Sequence, residues 1–137
     1  MIKIFNFNKH EDHRGILRFS NELDITSFKR MYFIEHTELT RRAWQAHKSE
    51  HKFFMVIEGS FKIGYIKIED FDNPPLQQSP TVNIFSAYES RAIYIPKGYA
   101  NGIHNIEKNS KLLVLSSLEL KDSQSERISY DQSLWEI

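Results

Sequence analysis

Arg41-Arg42-Ala43-Trp44-Gln45-Ala46-His47-Lys48 and, further along, Ile95-Pro96-Lys97-Gly98-Tyr99-Ala100-Asn101-Gly102-Ile103-His104-Asn105 decide the fold. Both place polar side chains in strand-forming sequence that lies between apolar strands. Side chains in a β-barrel alternate between wall and lumen, so the two segments can aim His47 and His104 into one interior. The same alternation sends only one of Arg41 and Arg42 inward. A lumen holding a histidine and an arginine suits proton chemistry on an anionic ligand that carries a carbonyl.

The rest of the chain supports a β-rich domain around these segments. Runs rich in β-branched and aromatic residues occur at Ile2–Phe7, Ile16–Phe19, Met31–Ile34, Lys52–Ile57, Ser60–Ile68, Thr81–Phe85, Ala92–Ile95 and Lys111–Leu118. Polar turns separate them, which is the pattern of a sandwich or barrel. Glu58-Gly59 predicts a hairpin that sets its two flanking strands side by side. The stretch Asp70–Pro80 carries three of the four prolines and reads as a surface loop. No segment shows sustained helical periodicity, although a helical turn is expected around Tyr130–Leu134.

Length and charge narrow the functions. With 137 residues the chain fits one domain, 1–137, large enough to bury roughly two thirds of its unfolded surface. Lys and Arg total 18 and Asp and Glu total 18, so no global field draws it to nucleic acid or an acidic membrane. Anion recognition must be local. The chain has no cysteine, which removes disulfides and thiolate metal sites and suits a reducing compartment. Its longest apolar run, Phe53–Ile57, is far short of the roughly 20 residues that span a bilayer. A cytoplasmic protein without a membrane or nucleic-acid partner is expected.

Several segments resemble one family in their order and spacing. They are Asp12-His13-Arg14-Gly15-Ile16-Leu17, Lys29-Arg30-Met31-Tyr32-Phe33-Ile34, Arg42 to Lys48, Tyr94 to His104, Lys111 to Ser117, and a tail with Asp122, Ser123, Ser125, Arg127, Ser129, Tyr130 and Asp131. Together they resemble the RmlC-like cupins, and among these the WxcM-like or FdtA-like dTDP-sugar 3,4-ketoisomerases, relatives of the dTDP-4-dehydrorhamnose 3,5-epimerases. The resemblance implies an all-β, RmlC-like cupin jelly-roll barrel and a homodimer, with Ile2–Phe7 able to join a neighbouring sheet edge. There are departures. The family's Arg-Gly-Phe-His-Ala-His-Lys stands here as Arg42-Ala43-Trp44-Gln45-Ala46-His47-Lys48, so the first histidine is Gln45. The histidine that often follows Pro-x-Gly-x-x is Asn101, and the epimerases' acidic tyrosine falls near Val114 or Leu115.

The resemblance implies a dTDP-linked 4-keto-6-deoxyhexose as ligand and an enediol route that moves the carbonyl between C3 and C4 without a cofactor. His47 is the candidate base, since an imidazole of ordinary pKa near 6.5 can take and return the proton. Tyr32, Gln45 and His104 are candidate donors to the enediolate. Arg14 and Arg42 are the expected diphosphate partners, Lys52 an auxiliary charge, and Asn101 a substrate contact. Metal-binding cupins use His-x-His, a following Glu and a later His. Here Gln45, His47, Glu50 or His51, and Asn101 stand in those places, so no metal is expected, although His47, His51 and His104 remain a conceivable set. Two alternatives stay open: a cupin that binds the sugar nucleotide without catalysis, and a 3,5-epimerase.

Overall fold

The computed structural model describes all residues, Met1–Ile137. Its strands are β1 (Lys3–Asn6), β2 (Asn8–Asp12), β3 (Gly15–Phe19), β4 (Arg30–His36), β5 (Arg41–His47), β6 (Lys52–Glu58), β7 (Ser60–Lys67), β8 (Thr81–Ser86), β9 (Arg91–Ile95), β10 (Tyr99–Asn105), β11 (Ser110–Ser116) and β12 (Arg127–Ser129). One short helix, α1 (Leu120–Glu126), precedes β12. The chain forms two five-stranded antiparallel sheets, ordered β1-β9-β6-β11-β4 and β12-β5-β10-β7-β8, with β2 and β3 as a separate pair. This is a jelly roll. No helix is long and apolar enough to cross a membrane.

Alternation builds the core. Phe54, Val56, Ile93, Ile95, Leu112 and Val114 of the first sheet meet Phe61, Ile63, Phe85 and Ile103 of the second. The opposite face of β6 and β9 packs Phe53 and Ala92 against Phe5 of β1. On the outer face of the second sheet, Trp44, Ala46, Ile66, Ile68 and Ala100 are covered by Trp135. Register places Gly102 beside Gly64, and the Trp44 indole occupies the space they leave. A Cβ on Gly64 would lie 2.9 Å from the indole and one on Gly102 2.8 Å from Ala43, so both must be small.

The structure corrects two expectations, a hairpin and a helical turn. Glu58-Gly59 is a corner, not a hairpin: β6 pairs with β9 and β11, whereas β7 pairs with β10 and β8. A single linking residue is too short for the two-residue loop of a tight hairpin. Because Val56 and Phe61 both face the core, the chain crosses from one sheet to the other there. Gly59 takes φ +71°, and a Cβ on it would lie 2.1 Å from Ser110 Oγ.

The N-terminal strand forms one edge of the first sheet. Lys3–Asn6 pairs with β9 of its own chain. The Tyr130–Leu134 segment makes one non-helical turn, Leu134 N–H to Asp131 O at 3.1 Å. The helix lies earlier, in a stretch with too few apolar residues to show periodicity. Finally, β2 is wholly polar and pairs only with β3, so no hydrophobic pattern marked it.

Candidate active site

The two sheets part at one end, between edge strand β4 and strands β5 and β12, leaving a cleft of about 670 Å³. Its lining carries five cations, Arg30, Arg41, Arg42, Lys52 and Arg127, against one carboxylate, Glu35. In a chain of zero net charge, this is the local anion field that composition required. Arg41 is tied to the tail, donating to the carbonyls of Gln132 and Trp135. Arg30 lies over the Tyr32 ring at 5.0 Å and donates to Glu50 Oε1 at 3.2 Å.

Of the residues expected from sequence, Tyr32, Gln45, Arg42, Lys52 and Asn101 line this cleft together. Register sets Gln45 opposite Asn101 and also opposite Ser129 of β12, so the three stand in a row across the second sheet. A bulge between Asn101 and Ile103 breaks the parity of β5, allowing both Arg42 and Gln45 to reach the cleft. Three residues, Arg14, His104 and His47, do not line it. Arg14 lies in the β2–β3 hairpin, paired with Asp12 at 2.6 Å. His104 stands opposite Arg41 and Lys62 and does not line the cleft.

His47 is 2 % exposed and lies off the cleft wall. Its Nδ1 is 2.7 Å from Glu50 Oε2 and 3.1 Å from Glu126 Oε1, while its Nε2 has no partner. Two carboxylates facing Nδ1 assign a proton to that nitrogen, which leaves Nε2 as the ring nitrogen at which a proton can come and go. Glu50 is itself enclosed. Ser116 Oγ donates to its Oε1 and Ser123 Oγ to its Oε2 at 2.9 Å, with Lys52 Nζ at 3.8 Å. Burial pushes the Glu50 carboxyl up. The bond from His47, the Lys52 charge and the Ser116 hydroxyl, with the His47 charge, outweigh burial and bring its pKa down to about 2.

Glu126, at the end of α1, also accepts from the backbone N–H of Lys48 at 2.7 Å and Ser49 at 3.3 Å. Sequence reading missed Glu126, Ser123, Ser116, Arg30 and Arg127. Only Glu50 carried a local signal, by following His47 at i+3 in the turn after β5. The His47, Glu50 and Glu126 donor atoms lie within 4.8 Å of one another, a spacing that can hold a cation. Arg30 and Lys52 already supply positive charge at Glu50, which opposes a metal there. The conceivable set His47, His51 and His104 is not assembled: only His47 of the three belongs to a convergent donor cluster, and His51 Nδ1 bonds Tyr94 OH at 2.9 Å.

Two antiparallel sheets in jelly-roll order, with a cationic cleft at their open end, define an RmlC-like cupin. The family described as WxcM-like, C-terminal (FdtA) matches residues 1–132, and the chain belongs to that family. Among solved structures, it is similar to a 3,4-ketoisomerase from Helicobacter canadensis, with 25% identity, TM-score 0.75, and coverage of 97% of this chain and 93% of that one. It is also similar to a mutant of the 3,4-ketoisomerase QdtA from Thermoanaerobacterium thermosaccharolyticum in complex with TDP-4-keto-6-deoxyglucose, with 20% identity, TM-score 0.74, and coverage of 97% and 90%. The rmlC epimerase of Mycobacterium tuberculosis shares the fold at TM-score 0.80 and 16% identity, over 98% of this chain and 74% of that one. Comparison with curated proteins finds no match.

Proposed function

We propose that the protein is a sugar-nucleotide isomerase, a 3,4-ketoisomerase of a dTDP-4-keto-6-deoxyhexose, formed by residues 1–137 as one domain. The observation that carries this reading is the cluster of Arg30, Arg42, Lys52 and Arg127 around neutral Tyr32, Gln45 and Asn101 in one cleft. Guanidinium groups match a diphosphate, and neutral donors match a keto sugar. Membership of the family and the sugar nucleotide held by its relative QdtA support the substrate class.

In this reading His47 Nε2 takes the proton from C3, the charge passes to the C4 oxygen as an enediolate, the C3 hydroxyl proton moves to that oxygen, and reprotonation at C4 leaves the carbonyl at C3. Tyr32 and Gln45 donate to the developing charge. Incubation with dTDP-4-keto-6-deoxyglucose in deuterated water, followed by NMR, is expected to show exchange at C3 and C4 and none at C5. Deuterium at C5 would point instead to epimerisation.

One observation favours a second reading. His47 is buried off the cleft wall and Gln45 occupies the wall in front of the same strand face, an arrangement suited to binding without turnover. Tight dTDP-sugar binding with no exchange at any carbon would select it.

The proposed assembly is a homodimer. The outer face of the first sheet leaves Met31 61%, Phe33 52% and Ile57 42% exposed, and the β2–β3 hairpin exposes Ile16 and Leu17. A second copy is the proposed cover for this apolar face. Sedimentation at micromolar concentration should give the dimer mass; monomer alone would overturn the assignment. The setting proposed is the cytoplasm, in a route that supplies an unusual sugar for surface polysaccharide, in keeping with a chain free of cysteine.

A further inference from the structure

Asn105 is 2% exposed and its amide is fully used. Nδ2 donates to Glu38 O at 2.9 Å and to Glu107 O at 2.7 Å, and Oδ1 accepts from the Thr40 N–H at 2.8 Å. The amide therefore has one orientation, with its oxygen facing His36 Nδ1 at 3.0 Å. Since the oxygen can only accept, Nδ1 must carry the proton. A neutral ring then offers a lone pair at Nε2, and Arg42 Nε donates to it at 3.0 Å.

The surroundings keep the ring neutral. Burial pushes the His36 pKa down, the Asn105 bond pulls it up, and the charges of Arg42 and His104 push it down again, to below the ordinary 6.5. Phe61 packs on the ring at 5.6 Å between centroids. Arg42 makes no other side-chain hydrogen bond, so both terminal nitrogens remain available in the cleft. An arginine tethered at Nε presents them as a fixed fork and loses less rotamer freedom when a ligand binds.

We infer that His36, oriented by Asn105, is a positioning residue that aims the guanidinium of Arg42 at an anionic ligand in the cleft. The inference rests on the reading of the cleft as a diphosphate site. It makes ligand affinity depend on a buried ring that touches no ligand.

The test joins calorimetric titration with dTDP to nitrogen-15 NMR. His36→Phe keeps the packing on Phe61 but removes the acceptor, and should weaken dTDP binding about tenfold, the worth of one hydrogen bond to a charged group. His36→Gln returns an oxygen near the place of Nε2 and should stay within about threefold of the wild type. On an Arg42→Met background, His36→Phe should add nothing further. Additive losses, or equal losses for Gln and Phe, would overturn the inference.

The NMR arm does not depend on dTDP. The His36 ring should show the Nδ1–H tautomer at neutral pH, and the Arg42 Nε proton should exchange faster in His36→Phe than in the wild type. An Nε2–H tautomer, or equal exchange, overturns the inference whether or not dTDP binds. If instead dTDP binds wild type and Arg42→Met alike while the NMR results hold, positioning stands and the diphosphate reading of Arg42 falls.

Discussion

His47→Asn is expected to lower turnover of dTDP-4-keto-6-deoxyglucose at least about a hundredfold, with dTDP affinity changed by no more than about threefold. Asparagine places an amide N–H near the position of Nδ1, so the bonds to Glu50 and Glu126 can persist. What disappears is Nε2, the one ring nitrogen without a partner in the structure. A group that acts in proton transfer and not in ground-state binding loses kcat and spares affinity. Steady-state kinetics with dTDP calorimetry separate the two. Unchanged turnover in the variant would remove His47 as the base.

The second large effect concerns stability. Glu50→Leu is expected to cost about 3–5 kcal/mol, because it leaves Arg30 and Lys52 facing a buried site without their counter-charge and removes one of the two carboxylates at His47. Urea denaturation should show a lower midpoint at unchanged slope.

Acid provides a second measure of the same network. Glu50 has its pKa lowered from 4.5 to about 2 in the folded chain, so its contribution is fully present above about 4.5 and is lost as pH falls towards 2. That contribution is on the order of 3 kcal/mol. Stability of the wild type should therefore fall across this window more steeply than that of Glu50→Gln, which has no proton to gain. Parallel curves for the two proteins would show that Glu50 is not the titrating anchor.

The fold was legible because each strand carries its own alternation, and alternation is local. Sheet membership is not local. The run from Lys52 to Lys67 reads equally well as two paired strands or as two strands facing each other across a core; only the neighbours β9, β10 and β11 decide. The same distinction governs the site. Gln45 and His47 share a face by parity, as do Asn101 and Ile103, and those side chains all point between the sheets.

His104 is an odd number of residues from Asn101, so parity alone sets it on the other face of β10. Arg42 is likewise three residues from Gln45, and only the bulge restores it to the cleft. Glu126 had no sequence signal at all: it comes from a polar helix and meets His47 through tertiary packing alone.

That meeting has a consequence for how the chain is made. Glu126 lies 79 residues after His47, and the tail that follows it supplies β12 and Trp135, the cover of Trp44. At roughly 5–20 residues per second, a ribosome needs on the order of ten seconds to travel from one to the other. From the time β10 joins β5 to β7 until that tail docks, the outer face of the second sheet, with Trp44, Ala46, Ile66 and Ile68, has no lid and is open to chaperones or to other nascent chains. The histidine and its second carboxylate come together only when the last strand docks, so a prematurely stopped chain should be both sticky and inert.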